Sequence, residues 1–219
     1  MKTDSELQSD ILEEFLWDPL VPEGKVGVAV SNGVVTLTGH LATYAEKVAA
    51  EHAVARVAGV KAVALEMKVV PAGTHQRSDT EIAAAIEQAI EWSTLVSKEK
   101  IKVFVENGWV NLEGELNWDS ERQSLERMIL PLKGVVGLIN HIVLKPIPVP
   151  EDLAGRIQKA LTRQAAREAR HIDVSVNGSV VTLTGKLHSS AEKAAAVGTT
   201  WSSPGVTRVV DKLTVEPQA

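Results

Sequence analysis

Apolar residues follow a helical spacing at three places in the chain, each about seventy residues after the last. At intervals of four residues they form one face of a helix: Leu7/Ile11/Phe15, Ile82/Ile86/Ile90 and Leu153/Ile157/Leu161. Acidic or cap-forming residues stand before each set, as a helix N-terminus favours: Asp4-Ser5, Asp79-Thr80 and Glu151-Asp152. We therefore predict an amphipathic helix at the start of three successive segments.

A β-hairpin is predicted after each of these helices. Apolar residues alternate with small or polar ones in the first strand: Val26/Val28/Val30, Ile101/Val103/Val105 and Ile172/Val174/Val176. The second strand continues the alternation: Val35/Leu37, Val110/Leu112 and Val181/Leu183. Asn-Gly joins the two strands in each copy and is a strong hairpin signal, because both residues tolerate positive φ. The third copy has an additional residue, Ser179, and for it we predict a bulge or a longer loop.

A second helix and a third strand complete each segment. Thr43 to Glu46 and Ser189 to Glu192 have the spacing of capping boxes, and Asn117 or Asp119 is predicted to cap the middle helix. A Gly-Val pair then opens the last strand in each copy: Gly59-Val60, Gly134-Val135 and Gly205-Val206. The predicted unit is α-β-β-α-β. A right-handed crossover through the second helix places both helices on one face of a three-stranded mixed sheet and leaves the other face open.

The long period of the pattern predicts three tandem domains of an α+β fold. The glycine that closes the hairpin motif recurs as Gly39, Gly114 and Gly185, at offsets of 75 and 71 residues. We place the domains at residues 1–71, 76–146 and 149–217. A polar linker joins the first two, and the proline-rich residues 146–150 form a stiff spacer before the third. Domains this small are marginally stable, so we expect contacts between repeats or between chains.

Composition and charge narrow the class of protein. The chain has 219 residues, of which 44% are apolar and 23% charged, as in ordinary globular proteins. It has no cysteine, which excludes disulfides and thiolate metal sites. The net charge of −5 is divided as −4 in residues 1–73, −3 in residues 74–149 and +2 in residues 150–219. Because only the third repeat is basic, and weakly so, we predict no nucleic-acid partner.

The sequence offers no signal for export or for membrane insertion. Its apolar runs are single strands, far shorter than the roughly 20 residues that cross a bilayer. Residues 1–6 lack the apolar core of a signal peptide. We therefore expect a cytoplasmic protein, or a periplasmic one if a leader precedes this sequence.

No arrangement of polar residues indicates catalysis, a metal or a cofactor. The carboxylates shared by the three repeats, Glu46, Glu121 and Glu192, stand where a capping box needs its glutamate. Ser190 to Lys193 has the S-x-x-K spacing, but the S-D-N and K-T-G elements that accompany it in serine acyl enzymes are absent. The six histidines show no metal-ligand spacing, and no glycine-rich phosphate loop is present. We predict that the protein is not an enzyme.

The aromatic residues suggest one interaction surface. Trp17 and Trp92 are predicted to close their cores, and Trp201 to pack inward. Trp109 precedes the inward-facing Val110, so it should point to the open side of the sheet. Three further apolar residues are predicted on that side: Phe104, Ile139 and Val143. Such a patch usually marks an interaction site. Another repeat of the same chain, a second copy, or a lipid or foreign partner would cover it.

Five basic residues follow one another along the first helix of the third repeat: Arg156, Lys159, Arg163, Arg167 and Arg170. At intervals of three to four residues they fall mostly on one helix face. Such a face can contact an anionic phospholipid surface, at about 1 kcal/mol per charge. A solvated helix face is the other interpretation.

Four features together resemble the BON domain, named for bacterial osmotic-shock and nodulation proteins. They are Trp17-Asp18-Pro19 at the end of a helix, the Asn-Gly-x-V-x-L-x-G hairpin, the Ala-Glu-Lys helix start and the Gly-Val-x-x-Val strand. The resemblance covers nearly the whole chain, with three copies where relatives of the osmotically inducible protein usually carry two. It implies a non-enzymatic binding or scaffolding protein related to osmotic stress. Such a protein acts through interdomain contacts, self-association or membrane contacts. The alternative is a peripheral phospholipid-binding or transport-associated envelope component.

Overall fold

The computed structural model describes residues 2–94, 100–146, 148–164, 172–187 and 190–215, with 163, 164, 190 and 191 described by their backbone alone. The first repeat contains α1 (Asp4–Leu16), β1 (Val26–Ser31), β2 (Val34–Leu41), α2 (Tyr44–Arg56) and β3 (Ala62–Val69). The second contains α3 (Asp79–Trp92), β4 (Ile101–Glu106), β5 (Trp109–Leu116), α4 (Asp119–Ile129) and β6 (Gly137–Leu144). The third contains α5 (Leu153–Gln164), β7 (Ile172–Asn177), β8 (Val180–Leu187), α6 (Ser190–Trp201) and β9 (Arg208–Val215). The predicted order of elements is confirmed in all three repeats.

Each repeat forms its own three-stranded mixed sheet. The strand orders are β1-β2-β3, β4-β5-β6 and β7-β8-β9. In the first and third sheets the hairpin strands are antiparallel, and the last strand pairs in parallel with the second strand of the hairpin. The helix between these parallel strands makes the crossover that the sequence predicts.

Both helices of a repeat pack against the same side of its sheet. In the first repeat one buried cluster joins Leu7, Ile11 and Phe15 of α1 to Val35 and Leu37 of β2. Small residues of α2 complete this cluster and let that helix approach closely: Ala49, Ala50 and Ala53. All nine residues that define the predicted helix faces are buried. The α+β fold with one open sheet face per repeat is therefore confirmed.

The first two hairpins turn tightly on Asn-Gly. Asn32 and Gly33 have φ values of 53° and 79°, the left-handed pair that a two-residue type I′ turn requires. The carboxylate of Asp4 accepts hydrogen bonds from both backbone N–H groups, at 2.7 and 2.9 Å. Asp79 accepts in the same way in the second repeat, at 2.8 and 2.9 Å. The first helix thus holds the hairpin turn of its own repeat.

The third hairpin corrects our prediction of a bulge or a longer loop. Asn177 is the last residue of β7 and faces Val180 across a two-residue loop, just as Ser31 faces Val34 in the first repeat. No residue has been added, because the glycine has moved one position earlier in a loop of equal length. Gly178, with φ of 58°, occupies the first loop position, where glycine is typical of a type II′ turn.

The caps of the second helices follow the prediction in the first repeat and depart from it in the second. Thr43 and Glu46 form the expected capping box. In the second repeat the equivalent cap position holds Trp118, and the Glu121 carboxylate accepts from the backbone N–H groups of Asn117 and Trp118 at 2.9 Å each. Asp119 is the first residue of α4, and its carboxylate pairs with Arg122 and Gln123 instead of capping the helix. Ser189 lies outside the described residues.

Capping boxes begin the first helices of the first two repeats one residue before the predicted cap-forming residues, whereas Asp152 caps α5 as predicted and accepts from the backbone N–H of Gly155 at 3.2 Å. Thr3 caps α1 and Ser78 caps α3, while Asp4 and Asp79 bind the hairpin turns. Hydrogen bonds from the backbone N–H of Thr3, and then from its hydroxyl, lower the pKa of the Glu6 carboxyl. Ser78 lowers the pKa of Glu81 in the same way.

These lowered pKa values predict acid sensitivity at the start of the first two helices. A depressed carboxyl pKa contributes stability that is fully present above 4.5, the ordinary value. That stability is lost as the pH falls through the lower value of the folded state. We expect the double variant Glu6→Gln/Glu81→Gln to lose less stability than the wild type between neutral pH and pH about 3. Denaturant melts at both pH values measure this, and equal losses would show that the capping boxes do not contribute.

Contacts between residues divide the chain into two compact units. One comprises Met1–Leu112 with Leu125–His141, and the other comprises Glu113–Ser124 with Ile142–Ala219. The second repeat therefore contributes residues to both units. In the part of the chain that the structure describes, every helix is too short or too polar to cross a bilayer.

Candidate functional site

Trp109 lies on the open face of the second sheet, where strand alternation predicts it. Its neighbour Val110 and the next inward residue, Leu112, are completely buried against the helices. Trp109 itself is 46% exposed. Its ring lies flat on Gly137 of the adjacent strand, since a Cβ atom added there would come within 2.4–2.7 Å of three ring atoms. The glycine therefore makes room for the indole, and Gly137→Ala would displace it.

Phe104 and Ile139 lie in one row across this face. In the first sheet, paired residues place three small side chains in a row: Ala29, Thr36 and Ala64. The residues 75 positions later are Phe104, Asn111 and Ile139. Phe104 is 51% exposed and Ile139 is 40% exposed. Large apolar side chains thus replace alanine at both edges of the row.

Val143, farther along β6, is also exposed, at 61%. We call the set Phe104, Trp109, Ile139 and Val143 the second-repeat face. The corresponding side of the third sheet carries Ser175, Thr182 and Thr184, with the smaller Val180 and Val210 at the positions of Trp109 and Ile139. Since the three sheets share one fold, the large side chains of the second-repeat face are not needed to build it.

Opposite charges flank Phe104 on its strand. Lys102 and Glu106 stand two residues before and two residues after it, and both are exposed. Alternation places their side chains on the same open face as the phenyl ring. The face therefore carries a positive group, Lys102, and a negative group, Glu106, each two residues along the strand from Phe104.

The basic helix α5 presents at least two of its predicted contact residues to solvent. Leu153, Ile157 and Leu161 face the core of the third repeat. Arg156 and Lys159 are exposed on another side of the helix. The side chain of Arg163 lies outside the described residues, as do Arg167 and Arg170 entirely.

Trp17 and Trp92 do not close their cores, contrary to our prediction. They are 84% and 80% exposed. Each follows the last inward-facing residue of its helix, Phe15 or Ile90, by two positions, which is about 200° around the helix axis. Position on the helix therefore outweighs the size of the side chain.

Trp17 belongs to a group of exposed apolar residues that the core periodicity of α1 does not predict. Leu12, Leu16 and Leu20 are 46%, 72% and 59% exposed. We call these three residues and Trp17 the first-repeat cluster. Leu12 and Leu16 line a cleft of about 380 Å³, together with Pro19 and Pro22. The i, i+4 spacing of Leu12 and Leu16, outside the core stripe, is the sequence signal for this cluster.

A buried ion pair connects the second repeat to the third. Asp119 at the start of α4 is only 2% exposed, accepts a hydrogen bond from Gln123 at 2.6 Å and pairs with Arg122. The Arg122 guanidinium lies 5.1 Å above the centre of the Trp201 ring on α6, within cation–π range. Trp201 is partly buried and packs against the core of the third repeat, as predicted. This contact depends on two separate repeats, so the pattern of either one does not reveal it.

A tyrosine connects the first repeat to the second. Burial raises the pKa of the Tyr44 hydroxyl, while a hydrogen bond with the backbone of Leu138 acts in the opposite direction. Glu51 and Glu126 raise it further. Tyr44 therefore lies at the start of α2 against β6. In each of these two contacts, a residue in the first turn of a second helix contacts the following repeat.

The polar groups of the described residues form no evident reaction centre. No three histidine, aspartate or glutamate side chains within the described ranges come together as a metal site would need. The clustered carboxylates have structural partners: Glu46 with a helix start and Asp119 with Arg122. The three repeats differ from one another in their exposed surfaces, namely the second-repeat face, the first-repeat cluster and the basic side of α5.

The protein is a tandem repeat protein of the α+β class. It consists of three α-β-β-α-β units, each with one open sheet face. The chain belongs to the BON domain family, which matches residues 3–71, 78–146 and 151–217. This membership suggests a non-enzymatic scaffolding or binding role. No curated protein matches the chain significantly.

Two solved structures of a bacterial secretion protein are similar to this chain. One is from structural studies of CdsD, a structural protein of the type III secretion system of Chlamydia trachomatis. It shares 17% identity over 96% of this chain and 92% of that one, with a TM-score of 0.26. The other is the C-terminal domain of CdsD, with 17% identity, coverage of 99% and 100%, and the same TM-score of 0.26.

Proposed function

We propose that the protein is a non-catalytic BON-domain scaffold that associates with a second copy of itself through the second-repeat face. The observation that carries this proposal is the half-exposed Trp109 ring lying on Gly137. Tryptophan is enriched among the few residues that dominate the binding energy of an interface. The same position in the other repeats holds Val34 and Val180, so the indole is particular to one copy.

The charge pattern favours a second copy as the partner. In a pair whose two-fold axis passes beside Phe104 at right angles to β4, Lys102 of each copy would lie opposite Glu106 of the other. A surface that pairs with itself in this way is the basis of an isologous dimer. Exposed ion pairs contribute only about 0–1 kcal/mol each. In this arrangement they therefore fix the orientation, and apolar burial supplies the affinity.

The charge balance makes an anionic phospholipid surface a weaker partner for this face. The chain carries a net charge of −5, and Glu106 and Glu113 both lie on the open side of the sheet. An anionic bilayer would repel these carboxylates at short range. A second copy can place Lys102 against Glu106, a pairing that an anionic bilayer does not offer.

We further propose that the association serves a stress-related role. Osmolytes that are excluded from protein surfaces strengthen the burial of apolar area. Association through the second-repeat face would therefore increase when such solutes accumulate. This behaviour fits the osmotic-stress role that the BON family suggests, and it requires no catalytic step.

Trp109→Ser tests the proposed association. We expect it to weaken dimerisation at least about 30-fold, because loss of a tryptophan that dominates an interface costs about 2 kcal/mol or more. The melting temperature of the dilute protein should change little, since the ring is half exposed. Sedimentation equilibrium over a range of concentrations measures the dissociation constant.

Val34→Ser is the matched control, because it makes the equivalent change in the first repeat at a residue that is 41% exposed. It should dimerise as the wild type does. A wild-type chain that stays monomeric at all concentrations would refute the proposal. Equal weakening by the two variants would show that the second-repeat face is not the contact surface.

A further inference from the structure

A second surface of the molecule is exposed and apolar, and the association proposed above does not use it. The first-repeat cluster lies at the end of α1, more than one helix turn beyond the N-terminal cap. Its most exposed members are Trp17 at 84% and Leu16 at 72%. A patch of this kind marks an interaction site, and the surrounding charge indicates what it binds.

The surroundings of the first-repeat cluster are acidic. Helix α1 contains five acidic residues and no basic one. Glu14 and Asp18 are already paired with Arg56, at 2.5 and 3.1 Å. Glu13 and Glu23 remain exposed beside the apolar side chains. A complementary partner therefore needs positive groups on long apolar stems, so that it can cover leucine and approach carboxylates together.

Helix α5 of the third repeat offers such groups. It contains three basic residues and no acidic one. Arg156 and Lys159 project from it into solvent, one helix turn apart. Residues 150–219 carry a net charge of +2, whereas residues 1–73 carry −4. The two ends of the chain thus have opposite charge.

The chain already contains one contact of the required chemistry. Arg122 stacks on Trp201 at 5.1 Å while pairing with a carboxylate, Asp119. The cluster and α5 have the same three components: an exposed indole, adjacent carboxylates and an exposed arginine. Both surfaces are exposed to solvent, and the proposal joins them between two copies.

We propose that helix α5 of one copy docks on the first-repeat cluster of a second copy. Arg156 and Lys159 lie over Trp17 and the leucines, and their charges approach Glu13 and Glu23. This contact joins two different surfaces head to tail. It can therefore continue from copy to copy, unlike a two-fold contact, and it turns the scaffold into a linear or ring-shaped assembly.

The test uses full-length variants in a Trp109→Ser background, so that the second-repeat face does not contribute. One variant adds Trp17→Ser, which removes the acceptor surface. The other adds Arg156→Glu and Lys159→Glu, which reverses the donor surface. Each variant alone should lose the association that the background chain shows. An equimolar mixture should form a one-to-one complex, because each variant supplies the surface that the other lacks.

Sedimentation velocity with one variant fluorescently labelled measures the complex. The complex should weaken at least tenfold between about 0.01 M and about 1 M salt, as the screening length falls from roughly 30 to 3 Å. Trp92→Ser is the matched control, because Trp92 occupies the equivalent position in the second repeat and is 80% exposed. It should leave the association of the background chain unchanged.

Three results would overturn the inference. The first is a Trp109→Ser chain that shows no salt-sensitive association, and the second is a mixture that remains monomeric. The third is flotation of the background chain with phosphatidylglycerol vesicles that is lost on Arg156→Glu/Lys159→Glu while chain–chain association is unchanged. In that case α5 serves a membrane. None of these results depends on whether the second-repeat face dimerises.

Discussion

Replacement of Gly39 by alanine is expected to destabilise the first repeat strongly and to affect the other two much less. Gly39 has φ of 144°, and an added Cβ would lie 2.1 Å from the carbonyl oxygen of Lys25. The clashing atom is backbone immediately before β1, whose Val26 pairs with Gly39. The chain cannot move away without breaking the hairpin. Backbone strain alone costs about 1–3 kcal/mol, and the clash raises the total to roughly 3 kcal/mol or more.

Such a cost is a large share of the roughly 4–10 kcal/mol that stabilises a domain of this size. Hydrogen exchange measured segment by segment would show lost protection in β1, β2 and β3 only. Gly73→Ala is the control, because a Cβ there meets nothing within 4 Å and the backbone has no positive φ. If the two variants show equal protection, the strained glycine does not limit the fold.

Gly114 and Gly185 adopt the same conformation, with φ of 148° and 145°. The closing glycine of the repeated motif is thus a backbone requirement of the hairpin in all three domains. Alanine at either position should destabilise the second or third repeat through the same backbone strain.

Arg122→Ala is expected to destabilise the contact between α4 and α6 by about 2–3 kcal/mol. The substitution leaves the Asp119 carboxylate, whose side chain is 1% exposed, with Gln123 as its remaining side-chain partner. Removal of one partner of a buried ion pair costs about 3–5 kcal/mol. We expect less here, because the Arg122 side chain is 30% exposed and water reaches the site.

A double-mutant cycle separates the loss of attraction from the cost of a stranded charge. Asp119→Ala/Arg122→Ala should be more stable than Arg122→Ala alone, because no unpaired carboxylate remains. Lys145→Ala is the control. It breaks a pair with Glu115 in which both side chains are more than half exposed, and should cost under about 1 kcal/mol. Urea melts followed by tryptophan fluorescence give the free energies, and additive losses in the cycle would contradict the account.

Local chemistry explains which elements could be predicted from the sequence. The positions of Leu7, Ile11 and Phe15 determine a helix face, and Asn32-Gly33 determines a turn, without reference to distant residues. The longer loop predicted at Ser179 is wrong, because Asn-Gly does not occupy the same positions in every copy. It forms the loop in the first repeat, whereas in the third repeat Asn177 belongs to the strand and the loop is Gly178-Ser179. The strand alternation around Val176 and Val181 preserves the register and gives the correct loop length.

The interaction surfaces were predictable only in part. Alternation correctly places Trp109 on the open side of its sheet. The contact of its ring with Gly137 depends on how β5 pairs with β6, which alternation within one strand does not show. The place of Trp17 at the end of an amphipathic helix predicts that it closes the core, but its angular position on α1 directs it to solvent. The stacking of Arg122 on Trp201 involves two repeats, and periodicity within each repeat carries no information about contacts between them.

The most direct test of the central claim is chemical cross-linking at Asn111, in the middle of the second-repeat face. The chain has no cysteine, so Asn111→Cys introduces a single reactive site. Face-to-face sheets stack about 10 Å apart, within the reach of a short bismaleimide. The equivalent variants Thr36→Cys and Thr182→Cys probe the open faces of the other repeats. We predict a covalent dimer for Asn111→Cys and monomers for the other two variants. A monomer for Asn111→Cys, or equal cross-linking at all three positions, would contradict association through the second-repeat face.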